Sequence, residues 1–173
     1  MRASLIAKVL PTVLAVGAAA QEAAARDNAC GQIPATAGRE VEPFATYLPR
    51  IDTTQSLPKE GVFALRLVPA SEVIYPLMPE RGRDGSYGGF VIIESLPAGR
   101  YRILLSDEAW LDVVQDNARL PILEFDRSDD CPGVRQSVQI DATSQPLVLQ
   151  VSGAPANLIN IAIRRGWEFE WRW

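Results

Sequence analysis

The chain has 173 residues, an apolar fraction of 47% and a formal charge of −4, which suits one domain with a buried core. The acidic balance excludes nucleic acid as a default partner, because neutralising phosphates takes a basic face. Histidine is absent. That removes the commonest general base near neutral pH, the commonest transition-metal ligand and every Ser-His or Cys-His nucleophile pair.

The first residues read as an export signal. Arg2 and Lys8 precede an apolar stretch, residues 9–20, that is broken only by Pro11 and ends in Gly17, Ala18, Ala19 and Ala20. This stretch is shorter than the roughly 20 residues that span a bilayer. Cleavage is expected after Ala20, with a site near residues 23–25 as the alternative. It leaves no transmembrane segment, a charge of about −6 and a periplasmic or secreted protein. In that oxidising compartment the two cysteines, Cys30 and Cys131, read as a disulfide. Closing so long a loop would stabilise the fold by roughly 4–5 kcal/mol on the chain-entropy model.

Residues 21–60 form an extended lead-in. Pro34, Pro43, Pro49 and Pro58 interrupt any helix, and one short strand is expected around residues 44–48. From Gly61 onward short apolar runs alternate with turn residues. Residues 62–68 make the first run. Residues 72–78 carry Pro76 and are expected at a sheet edge. The glycines of residues 81–89 mark a loop. Further strands are expected at residues 90–94, 100–106, 110–114, 120–125, 134–140, 147–152 and 158–164. A turn is expected at residues 96–99 and a short helical turn at residues 106–109.

This spacing predicts an all-β fold, an antiparallel β-sandwich of jelly-roll type with about eight or nine strands and one disulfide. The signal occupies residues 1–20, the lead-in 21–60, the sandwich 61–165 and an aromatic tail 166–173. In the tail Trp167, Phe169, Trp171 and Trp173 fall on one face of an extended segment. They read either as a last strand covering a core edge or as a strip that docks on sugar, peptide or a membrane interface.

Three blocks carry a resemblance: residues 96–106 (LPAGRYRILLS), residues 109–114 (AWLDVV) and residues 131–135 (CPGVR). In that order they resemble a group of small secreted proteobacterial β-sandwich proteins often labelled homogentisate 1,2-dioxygenase, over roughly residues 65–163. Gln136 stands where that group has Lys. The dioxygenase label implies a cupin holding Fe(II) through histidines and a carboxylate, and this chain has no histidine. The strand rhythm is also similar to the pre-peptidase C-terminal domains of secreted proteases, which implies accessory work.

Among the constellations, Trp110 and Asp112 share a sheet face, and Arg135 is the candidate partner for Asp112. The three form either a core tryptophan with a supporting ion pair or the floor of a ligand site. In the second case the tryptophan would stack a sugar and the charges would fix hydroxyls or a carboxylate. Asp126, Asp129 and Asp130 form an acidic turn that is either simply solvated or a weak Ca²⁺ site. Asp107, Glu108 and Asp112 are the acids open to a carboxylate-dependent hydrolase. No Gly-x-Ser-x-Gly nucleophile context or phosphate-binding loop occurs. The sequence therefore points to a non-catalytic binding or accessory protein of the cell envelope, with no cofactor and with an envelope protein or a saccharide as partner. An assembly protein docking through its aromatic end and a small secreted hydrolase are the alternatives.

Overall fold

A computed structural model describes Phe44, residues 47–127 and residues 133–166. Among these residues the strands are β1 (Arg50–Asp52), β2 (Ser56–Leu57), β3 (Val62–Arg66), β4 (Val68–Pro69), β5 (Tyr87–Ile93) and β6 (Gly99–Leu105). They continue as β7 (Trp110–Gln115), β8 (Ala118–Arg119), β9 (Glu124–Arg127), β10 (Gln136–Ala142), β11 (Leu147–Ala154) and β12 (Leu158–Arg165). One sheet runs β1-β3-β12-β6-β10-β9. The other runs β2-β5-β11-β7-β8, with β4 also pairing with β5. The result is an all-β arrangement of two six-stranded sheets resembling a sandwich.

Period-two alternation explains why these segments stack. Tyr101, Ile103 and Leu105 of β6 and Ile159, Ile161 and Ile163 of β12 join one buried cluster with Val91 and Ile93 of β5 and Leu147, Leu149 and Val151 of β11. Burying each such side chain is worth about 1.5–3 kcal/mol, so this inner layer is the main source of stability. Tyr101 is fully buried, and its hydroxyl donates to the carbonyl of Pro97, four residues upstream, at 2.8 Å. This is the tyrosine-corner geometry of Greek-key sandwiches, and it fixes the turn that enters β6.

The outer face of the first sheet is organised around Arg102. Its guanidinium donates to Glu124 at 2.8 Å and Ser137 at 2.9 Å, with Asp126 and Gln139 at 3.4 Å. One side chain on β6 thus reaches across β10 to hold the edge strand β9. Nearby, Leu104 and Ala162 point outward yet are buried, because Val134, Val62 and the helical residue Phe44 cover them.

Several expectations need correction. The strand count is higher than eight or nine because short edge strands add to each sheet. The sandwich is not wholly antiparallel: β1 pairs parallel with β3, and β2 parallel with β5. Pairing in the lead-in falls at Arg50–Asp52 and Ser56–Leu57, after the expected residues 44–48, where the chain can reach the edges of both sheets. Residues 72–78 do not form a strand. A 3-10 turn at Ala70–Glu72 leads into irregular backbone instead. Residues 106–109 are a bend rather than a helical turn. The expected disulfide has no counterpart: none occurs among the described residues, and Cys30 and Cys131 both lie outside them. Among the described residues the two sheets are joined by apolar burial, not by a cross-link. The signal segment and the aromatic tail residues 167–173 also lie outside the described residues.

Candidate functional site

Polar side chains on the outer face of the second sheet hold an irregular segment, residues 73–85, as a strap. The register places Phe90, Gln150 and Asp112 in one row across β5, β11 and β7, with Ser152 beside Trp110 in the next. Asp112, Gln150 and Ser152 are all buried, and a buried polar group must find partners. They find them on the strap's backbone. Gln150 accepts the Leu77 N–H and donates to the Leu77 carbonyl, both at 2.9 Å. Asp112 Oδ2 accepts the Glu80 N–H at 3.1 Å, and Ser152 donates to the Arg81 carbonyl at 2.7 Å. The Tyr75 hydroxyl closes the other end on the Val151 carbonyl at 2.9 Å. Burial holds the Tyr75 phenol above its ordinary 10.0, and the Asp112 carboxylate adds to this against an opposing backbone hydrogen bond at Gly89.

The cation that Asp112 meets is Arg119, at 3.0 Å. Arg119 reaches it from β8 across the tight turn at Asp116 and Asn117, and it also donates to the Met78 carbonyl. Arg135 lies exposed just ahead of β10 in the other sheet, where its N–H donates to the Leu105 carbonyl. The structure therefore brings Trp110 and Asp112 together and sets Arg135 elsewhere. The hairpin that returns Arg119 is short and polar, so hydrophobic periodicity gave no sign of it.

Trp110 is partly buried. Its ring lies against Gly153, whose φ of +71° and missing side chain both make room for it. The Arg83 guanidinium stands over the ring, 5.6 Å from its centroid. These are positions a stacked sugar would take. The acids open to hydrolase chemistry are engaged separately: Asp107 accepts from Ser106 at 2.9 Å, Glu108 faces Arg127 at 3.6 Å and Asp112 meets Arg119. Asp126 lies near Arg102, while Asp129 and Asp130 lie outside the described residues. No group of three or more His, Cys, Asp or Glu among the described residues is placed to hold a metal ion.

Two cavities border the strap. The larger, about 620 Å³, is walled mainly by the strap and its neighbours, including Tyr75, Arg81, Arg83 and Ser86. The other, about 390 Å³, opens between the sheets at the edge where β7 faces β9 and β10, and strand residues build much of it. Its apolar wall is Leu105, Leu111, Val138, Ile122 and Phe125, with Trp110, Asp112, Arg81 and Arg127 around it. The cause is a mismatch of edges. Phe125 pairs with core-facing Val138, so it points between the sheets, yet the second sheet ends on the two-residue β8. Phe125 is left 53% exposed and Ile122 42% exposed above a buried floor.

No family model, curated protein or solved structure matches this chain. No helix among the described residues is long and apolar enough to cross a membrane.

Proposed function

We propose that this chain is a non-catalytic binding protein of the cell envelope, and that its ligand seats an apolar group in the cleft between β7 and β9. The observation that carries this reading is the exposure of Phe125 and Ile122 beside Leu105, Leu111 and Val138. Apolar side chains gathered around a concave site favour a ligand that removes them from water. Rigid strands hold much of the wall, which favours a preformed site. The charged groups at its margin, Arg81 and Arg127 against Glu80 and Asp112, orient a polar end rather than supply chemistry. The envelope location rests on the export-type sequence of residues 1–20.

The test is a titration with 1-anilinonaphthalene-8-sulfonate, followed by its fluorescence, for the unaltered chain, Phe125→Asp and Ile122→Asp. Both side chains are exposed, so the variants keep the core. At least a tenfold weaker affinity in both is expected. Unchanged binding in both would remove the cleft as the site.

A further inference from the structure

The cleft adjoins an edge strand. β9 ends its sheet, pairing with β10 and with no other strand among the described residues. Such an edge offers backbone hydrogen bonds to an added strand, whose alternate side chains would enter the gap beside Phe125. An occupant suited to both features is extended, with apolar side chains at every second position.

The chain carries such a segment. Residues 167–173 place Trp167, Phe169, Trp171 and Trp173 at alternate positions, with Glu168, Glu170 and Arg172 between them. Its point of departure decides whose cleft it fits. Gly166 donates its N–H to the Arg100 carbonyl at 2.7 Å, near the start of β6. The cleft touches Leu105 at the end of β6 and Phe125 on β9, three strand positions from β12. Four residues along a strand and three spacings across amount to roughly 20 Å. Seven extended residues reach at most about 25 Å. A tail folding back on its own domain would use nearly its whole length in transit and deliver only its last aromatic residue. The tail of a neighbouring molecule has no such limit.

We infer that the cleft and the outer edge of β9 receive residues 167–173 of a second copy of this chain by strand addition. The inference rests on reading the cleft as the receiving site. Trp171 and Trp173 would lie in the gap near Phe125 and Arg127, and Arg172 would lie on the outer face that carries Glu124 and Asp126. In either strand direction one register sets Arg172 beside a β9 carboxylate and carries Glu168 and Glu170 past the strand's end. The outcome is head-to-tail association, which forms rings if it closes and chains if it does not.

The experiment combines sedimentation of the whole chain with binding of a fluorescein-labelled peptide, residues 165–173, to a chain ending at Gly166. The truncated chain keeps every described strand. Expected are concentration-dependent oligomers of the whole chain that dissociate on truncation and in Phe125→Asp. The peptide should bind the truncated chain and lose at least tenfold in affinity in the truncated Phe125→Asp variant. A whole chain monomeric at every concentration would overturn the inference, and peptide binding to the truncated chain alone would then show the tail seated on its own domain. Failure of the peptide to bind while 1-anilinonaphthalene-8-sulfonate still binds through Phe125 would also overturn it, leaving the cleft as a site for another ligand. Failure of both probes would remove the underlying reading as well.

Discussion

The side chain of Gln150 pairs with the backbone of Leu77 as a neighbouring strand would, accepting its N–H and donating to its carbonyl, both at 2.9 Å. The two residues are 73 positions apart, and Gln150 is buried. Gln150→Ala leaves both Leu77 groups without that partner and should cost about 2 kcal/mol. Urea denaturation measures this loss. Limited trypsin digestion should show faster cutting at Arg81 and Arg83, which are already exposed, since a released strap can extend into the protease site. A variant as resistant as the parent would mean the strap is held elsewhere.

Gly153 tests the seat of Trp110. An alanine there would adopt φ near +71° and drive its Cβ into the Trp110 ring. Gly153→Ala should therefore destabilise by about 1–3 kcal/mol. In a Trp110→Leu background the collision is relieved and only the backbone penalty of about 1 kcal/mol should remain. Equal costs in both backgrounds would show that the ring does not define this glycine.

Tyr101→Phe keeps the buried ring and removes the hydrogen bond to Pro97, for an expected loss of about 1–2 kcal/mol. The phenol also makes stability depend on alkaline pH. Burial raises its folded-state pKa above 10.0, the nearby Glu60 charge adds to this and Arg165 opposes it. The folded state therefore holds the proton more tightly than the unfolded state. The contribution is complete below pH 10.0 and is lost as pH rises through the raised folded value. Urea midpoints taken from pH 8 to 11 should fall more steeply for the parent than for Tyr101→Phe.

Replacing Arg102 with Met should free β9 more than it weakens the whole domain. The guanidinium bridges Glu124 and Asp126, and without it these two carboxylates face each other uncompensated. The expected loss is about 1–2 kcal/mol, because the network is partly solvated. Hydrogen exchange should accelerate at Glu124–Arg127 before it does in β6 or β10. Uniform acceleration would assign Arg102 a global role.

Where a segment carried its own pattern, the sequence was a sufficient guide. Residues 90–94, 100–106, 147–152 and 158–164 alternate or run apolar, and strands β5, β6, β11 and β12 stand on them. The need of Asp112 for a cation was equally legible, because a carboxylate two residues from Trp110 among Leu and Val must be paired. Which cation met it was not, since Arg119 arrives through a two-residue strand too short for any periodicity. The cleft escaped for a related reason. It arises from the unequal ends of two sheets, and Phe125, the last residue of the expected strand 120–125, carries no local sign that it is left exposed. Residues 72–78 misled in the opposite sense. Ile74 and Leu77 suggest a strand, but the Leu77 backbone bonds go to the Gln150 side chain of β11, and the Met78 carbonyl goes to the Arg119 side chain of β8, instead of to a ladder.

The course of β1 and β12 has a topological consequence. The chain enters beside β3 at Arg50 and leaves beyond it at Arg165, two strand positions away in one sheet and toward the same end. Roughly 15–20 Å separates these points, a distance about six residues can bridge. The domain is thus nearly a closed ring of sequence. It could be joined from Gly166 to Tyr47 and opened at the exposed Asp116 and Asn117 turn, whose two positive φ values mark a tight hairpin. Such a circular permutant would carry its new ends close to Arg119, within reach of the cleft, where a fused reporter would sense whatever enters.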